Sequence, residues 1–154
     1  MTRDVGTYAL LLRAEGEHTI EVGALGEMRV RPGWYVYVGS AFGPGGLRAR
    51  VRRHARAEGT MHWHVDYLRA VMTLQSVWYT HDEERRECTW ARVLREHEGA
   101  RVPMTEFGAS DCDCPAHLVA FADAPSLDAF RQRLRAARPD HRTVARASPN
   151  ALRA

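Results

Sequence analysis

Two hydrophobic periods alternate along the chain, and each change of period marks a change of element. Residues 5–13 (Val-Gly-Thr-Tyr-Ala-Leu-Leu-Leu-Arg) form an apolar run rich in strand formers, which predicts a buried strand. His18 to Val22 alternates, Gly23-Ala24-Leu25-Gly26 makes a turn, and Met28 to Arg31 alternates again, predicting a hairpin appended to that first strand. Pro32-Gly33 breaks the chain before Trp34-Tyr35-Val36-Tyr37-Val38-Gly39, a further strand of aromatic and β-branched residues. Gly43-Pro44-Gly45-Gly46 cannot continue a strand. A helix is predicted from about there to roughly Ala57, with Leu47, Val51 and Ala55 recurring at four-residue steps.

The second half carries a shorter helix over Met61 to Val71, with Val65 and Leu68 inward, and a strand from Thr73 to Thr80. The spacing of Trp90, Val93 and Leu94 predicts an amphipathic helix over Glu83 to Glu98, with Gly99 just past its end. Residues 107–115 are a loop by composition, and His117 to Ala122 is a short strand. Ser126 suits an N-cap, and Leu127, Phe130 and Leu134 make the last helix amphipathic. The expectation is one α+β domain over residues 1–136, a small, mostly antiparallel sheet flanked by helices. Residues 137–154, rich in Arg, Ala, Pro and Ser without periodicity, read as a basic, flexible tail.

A chain of 154 residues is long enough to bury about 70% of its unfolded surface in one domain. A hydrophobic fraction of 45% and a charged fraction of 27% exclude the disordered classes. No apolar run approaches the roughly 20 residues of a membrane span, and Met1-Thr2-Arg3-Asp4 leads straight into the first strand pattern without a secretory signal; the cytoplasm is the expected compartment. Three cysteines in that setting argue for reduced thiols or metal ligands over a disulfide framework. A net charge of +3, from 22 basic and 19 acidic residues, is too small to argue for nucleic acid by itself. All the basic residues are arginine and Ile20 is the single isoleucine, a pattern of GC-rich codon bias. Placement is more informative: Arg48, Arg50, Arg52, Arg53 and Arg56 crowd the first helix.

Candidate chemistry lies in the order of short motifs. The first strand holds Gly6-Thr7-Tyr8 and the fourth holds Tyr37-Val38-Gly39-Ser40; an arginine-rich helix with Arg50 and His54 follows, then a helix with Glu87. Adjacent antiparallel strands can bring Tyr8 and Tyr37 onto one sheet face. Arg50 and His54, four residues apart, project from one helical face beside the Leu47 and Val51 stripe. A phenol, with an ordinary pKa near ~10, is a poor base at neutral pH, and cations around it are expected to lower that value. Each residue also has a plainer reading: packing for the tyrosines, capping or solvation for His54, and a choice among Asp82, Glu83 and Glu84 for the acid. Arg48, Arg52, Arg53 and Arg56 read as a solvated face able to hold DNA phosphates.

This order resembles the GIY-YIG nuclease superfamily, named for its two strand motifs. Residues 35–41 (Tyr-Val-Tyr-Val-Gly-Ser-Ala), 62–68 (His-Trp-His-Val-Asp-Tyr-Leu) and 107–118 (Phe-Gly-Ala-Ser-Asp-Cys-Asp-Cys-Pro-Ala-His-Leu) are similar to one branch of it, the Uri-type endonucleases, also classed as a domain of unknown function. The resemblance covers residues 5 to 122. It implies metal-dependent hydrolysis of a phosphodiester in DNA. Tyr8 is then general base or water-positioning group and Tyr37 its partner. Arg50 stabilises the transition state, His54 assists proton transfer or binds phosphate, and Glu87 holds magnesium or manganese. The asparagine that often closes the superfamily's active site has no counterpart before Asn150.

Cys112, Cys114 and His117 give Cys-x-Cys-x2-His, and Cys88 on the preceding helix completes a possible structural zinc set; free thiols near the core are the alternative. His62, His64 and Asp66 alternate, so a helix would not turn all three to one metal. His64 and Asp66 either approach the active site or flank a helix anchored by Trp63 and Tyr67. Two further functions compete with the nuclease: a non-catalytic nucleic-acid-binding module of the same fold, and a zinc-stabilised adaptor.

Overall fold

A computed structural model describes residues 1–56, 63–109 and 114–153. One antiparallel sheet runs in the order β6 (Leu118–Phe121), β4 (Gly33–Ala41), β1 (Gly6–Ala14), β5 (Thr73–Thr80), β7 (Ala145–Ala147). The central strand explains its own sequence. Alternate residues of β1 serve opposite cores, with Tyr8, Leu10 and Leu12 on one face and Ala9 and Leu11 on the other. A strand covered on both faces reads as a continuous apolar run.

The first core is roofed by α1 (Gly46–Arg56) and α2 (His64–Leu68), whose stripes Leu47, Val51, Ala55, Val65 and Leu68 are almost fully buried. The second lies under α3 (Glu87–Arg95) and α4 (Leu127–Ala137), where Phe130 packs on Trp78 and Trp90 with ring centroids 5.1 and 5.0 Å away. Ser126 caps α4, its hydroxyl accepting from the Ala129 N–H at 3.2 Å. The fold is therefore α+β, a five-stranded antiparallel sheet with helices on both faces. No described helix is long and apolar enough to cross a membrane.

Three expectations are corrected. The hairpin of β2 (His18–Glu21) and β3 (Glu27–Val30) is a separate two-stranded sheet, because both edges of β1 are already taken by β4 and β5. It sits on the first core through Val22, Met28 and Val30. Helix α3 begins at Glu87, not at Glu83. The Asp82 carboxylate accepts from the Glu84 N–H at 3.0 Å and from the Arg86 Nε at 3.1 Å, and this side-chain turn displaces the first helical turn. Glu87 is thereby the first helical residue, where the helix dipole favours an acid.

The third correction concerns residues 137–154, which are not a loose tail. Residues 145–147 add β7 to the free edge of β5, and α5 (Pro149–Arg153) lies across the first core with Leu152 buried. Val144 enters the second core, and the Trp90 indole donates to His141 Nε2 at 2.8 Å. Burying an aliphatic side chain contributes about 1.5–3 kcal/mol, so Val144 and Leu152 together hold a segment that three strand residues alone would not. Periodicity missed it because its apolar anchors are isolated.

Arg86 ties this segment to the body. Its guanidinium, almost fully buried, donates to Asp82 at 3.1 Å and to Asp140 at 3.2 Å. Burial pushes the Asp82 carboxyl up. The N–H donors of Arg142 and Glu84, with Arg86, outweigh that and hold it below the usual carboxylate value. Arg86→Ala strands a buried carboxylate and is expected to cost about 3–5 kcal/mol. Denaturant unfolding checks this; an unchanged midpoint would contradict the role given to the pair.

Candidate active site

The strand register sets the first two groups. Tyr8 on β1 stands opposite Gly39 on β4, and Leu10 opposite Tyr37, so the two tyrosines are diagonal neighbours on one face. Both motif glycines are required by close approach. A β-carbon at Gly39 would lie 2.5 Å from the Tyr8 hydroxyl oxygen and 2.6 Å from Cζ, so the Tyr8 ring occupies the space a side chain would fill. At Gly6 a β-carbon would strike the Thr80 carbonyl oxygen and lie 2.5 Å from Leu47 Cδ1, so Gly6 is what lets α1 settle onto β1.

Helix α1 brings His54 under this face. Tyr8 Oη lies 2.9 Å from His54 Nε2, and the rings of Tyr8, Tyr37 and His54 form a triangle with centroid distances of 6.4, 5.6 and 6.4 Å. Arg50 donates to the Ser40 carbonyl at 3.2 Å and lies 4.6 Å over the Trp63 ring, with Arg53 4.1 Å over the same ring. Between the glycine-rich turn and these two arginines is a cleft of about 190 Å³, lined by Gly43, Pro44, Arg50 and Arg53. On the other side of the sheet end, the Thr7 hydroxyl accepts from the Arg86 N–H at 3.3 Å. The middle residue of Gly6-Thr7-Tyr8 thus anchors the start of α3 and sets Glu87 close enough for its charge to act on both tyrosines.

Electrostatics overturns one expectation. The Arg50 cation does not bring the Tyr8 phenol down. Burial raises it well above its ordinary value, Tyr37 adds to the rise, and the charge and hydrogen bond of Arg50 only partly offset it. Tyr37 is raised by burial and by Glu87. His54, 1% exposed, is pushed down by burial, with Asp66 opposing. In this environment Tyr8 keeps its proton and His54 stays neutral.

Other candidates divide. Arg48 and Arg56 are exposed, as a phosphate-binding face needs, and Arg52 is half-buried. Arg53 is drawn inward: it donates to Asp66 at 3.3 Å besides covering Trp63, so it belongs to the site more than to the solvated face. His64 Nδ1 accepts from the Gly108 N–H at 2.8 Å and pins the 107–108 loop beside Tyr37. Trp63 and Asp66 are the residues whose place the sequence left open, and α2 turns both toward His54 (ring centroids 5.3 Å; Asp66 Oδ1 to Nδ1 3.8 Å). The signal was the His-Trp-His-Val-Asp stretch itself, which periodicity placed without a direction. His62 lies outside the described residues.

A second cluster adjoins the first. The ligand atoms of Cys88, Cys114 and His117 all lie within 4.8 Å of one another, close enough to hold a metal ion. His117 Nδ1 is 4.0 Å from Glu87 Oε2, while its Nε2 is buried without a hydrogen-bond partner among the described residues. Burial lowers His117, with Glu87 opposing, which keeps the imidazole in the neutral form a metal requires. Cys112 lies outside the described residues. The expectation of reduced thiols is corrected at Cys88, which is disulfide-bonded. Disulfide and metal are alternative states of Cys88.

A family model spans residues 7–138 and so takes in every residue of both clusters. The chain belongs to the family described as Domain of unknown function DUF123. No curated protein and no solved structure matches it. Within this DUF123 chain the match begins at Thr7, beside Tyr8, and ends before β7 and α5.

Gly39→Ala tests the packing of this site. The added methyl must displace the Tyr8 ring, at a cost of about 1–3 kcal/mol. Thermal unfolding and the near-ultraviolet tyrosine signal should both change; wild-type values for both would contradict the close approach.

Proposed function

We propose that this DUF123 chain is a metal-dependent endonuclease of the GIY-YIG type, Uri-type branch, which hydrolyses phosphodiester bonds in DNA. The observation that carries the reading is the convergence of Tyr8, Tyr37, Arg50, His54 and Glu87, from three secondary-structure layers, at one end of the sheet. Packing accounts for buried tyrosines singly; it does not account for a guanidinium and a carboxylate brought to both of them.

Each residue has a part in the reaction. Arg50, in the cleft with Arg53, meets the phosphoryl oxygens and stabilises the charge that builds in the transition state. The attacking water gives a proton to the Tyr8 oxygen as Tyr8 passes its own to His54 Nε2. The new P–O bond forms as the bond to the leaving sugar oxygen breaks, and that oxygen takes a proton from solvent. His54 is thus the base and Tyr8 its relay, since burial holds the phenol protonated and the imidazole neutral. Tyr37 fixes the ring geometry of the pair.

Glu87 is the residue that would hold magnesium or manganese. A single carboxylate suits an ion that keeps several waters and shares the substrate's phosphate. When bound, the ion supplies charge neutralisation at the phosphoryl group and the leaving oxygen. The exposed Arg48 and Arg56, with Arg52, extend the phosphate-binding surface along α1.

A second reading, a nucleic-acid-binding module that does not cleave, has one observation in its favour. Tyr8 is 1% exposed, so it has almost no contact with solvent in this conformation. Cleavage of single- and double-stranded DNA with magnesium, manganese or EDTA separates the two. We expect metal-dependent nicking, lost by a factor of roughly 10² to 10⁴ in Tyr8→Phe and His54→Ala and abolished in Glu87→Ala. Equal inertness of wild type and Glu87→Ala on every substrate would sink the nuclease.

The ion for Cys88, Cys114 and His117 is proposed to be zinc, which thiolate and imidazole donors favour. Cys112 is the fourth donor suggested by the sequence, and the Cys88 disulfide must first be reduced. Elemental analysis of protein purified under reducing conditions should find about one zinc per chain. Metal-free protein that is fully folded would remove this site, and with it the adaptor reading.

A further inference from the structure

His54 has two ring nitrogens, and only one faces Tyr8. The other, Nδ1, is buried and makes no hydrogen bond among the described residues. Asp66 Oδ1 lies 3.8 Å from it, beyond hydrogen-bond distance but inside ion-pair distance. Among the described residues, the charged and titratable groups around the ring are Tyr8 from β1, Tyr37 from β4, Arg50 and Arg53 from α1 itself, and Asp66 from α2; Arg69, just after α2, donates to the His54 carbonyl at 3.2 Å. Asp66 is the one carboxylate among them.

From this arrangement we infer that Asp66 is a positioning residue for His54: its carboxylate selects the tautomer with the proton on Nδ1, leaves Nε2 free to accept the Tyr8 proton, and stabilises the imidazolium that results. The inference rests on the nuclease reading for its catalytic consequence but not for the tautomer itself. The alternative tautomer would set the Nδ1 lone pair against a carboxylate at 3.8 Å, which electrostatics disfavours.

Asp66 is itself held in place by two donors, Trp63 and Arg53. Its Oδ2 accepts the Trp63 N–H at 3.0 Å at the start of α2 and the Arg53 NH1 at 3.3 Å, and Trp63, so capped, packs edge-on against His54. The Asp66 charge also reaches Tyr37, raising that phenol. One carboxylate thus orders the α2 entry, the inner arginine and the buried imidazole together.

The test reads the ring nitrogens of His54 by long-range proton–nitrogen NMR on protein as purified, without added magnesium or manganese, across a pH titration, in wild type and Asp66→Asn. Asparagine keeps an acceptor for the Trp63 N–H, so α2 is retained. Wild type should show His54 protonated on Nδ1. Removing the carboxylate should weaken that preference and move the His54 midpoint to lower pH, because the lost charge favoured the cation. Cleavage assays in the same variants should show kcat about 10²-fold lower with KM little changed, and the acid limb of the rate–pH profile displaced to lower pH. Wild-type His54 protonated on Nε2 would overturn the inference whatever the variant does, as would an unchanged tautomer and midpoint in Asp66→Asn. A wild type that holds the Nδ1 tautomer yet cleaves nothing would instead count against the nuclease and leave the Asp66–His54 pairing standing.

Discussion

Tyr8 and His54, 2.9 Å apart and each 1% exposed, are two polar groups inside an apolar core, and the surrounding structure is organised around their mutual hydrogen bond. An unpaired hydroxyl or imidazole in such a place costs on the order of 1–3 kcal/mol. Their mutual bond offsets that cost only if a strand and a helix meet in one arrangement. Gly39 clears space for the ring, Gly6 lets α1 approach β1, and the Leu47, Val51 and Ala55 stripe fixes the rotation of α1 that points His54 inward. Low dielectric then sharpens the chemistry. It holds the phenol protonated and the imidazole neutral, so a proton can pass from one to the other without a charge having to be buried beforehand.

Much of this was legible in the sequence for an identifiable reason. Elements with sustained period, such as β1, β5 and α1, were readable because burial on fixed faces forces the pattern. The cap at Ser126 and the break at Gly43-Pro44-Gly45-Gly46 were readable because those backbones need those residues. That antiparallel strands can bring Tyr8 and Tyr37 onto one face was readable, while the register that makes them diagonal neighbours was not.

What escaped depends on long-range contacts that leave no local trace. The last 17 or so residues docked through single anchors, Val144 and Leu152, and through the ion pair of buried Arg86 with exposed Asp140, none of which has a period. Helix α3 lost its first turn to the Asp82 side chain, a competition that amphipathicity does not register. The ionisation of Tyr8 was misjudged because counting cations ignores desolvation, which here dominates. Asp66 could not be given a direction, because on so short a helix its facing depends on where α2 sits against α1. Glu87 beside Cys88 joins the proposed catalytic metal to the soft-donor cluster, so the redox state of one sulfur bears on the helix that presents the acid.

In the proposed nuclease, the five residues form one phosphodiester-cleaving centre around Glu87. Its most direct test is a crystal structure with manganese and a phosphorothioate oligonucleotide, located by anomalous scattering. A manganese peak is expected on the Glu87 carboxylate, with a phosphoryl group between it and Arg50 on the Tyr8 side. Manganese bound elsewhere, or nucleic acid lying along Arg48 and Arg56 with no phosphate at Arg50, would contradict it.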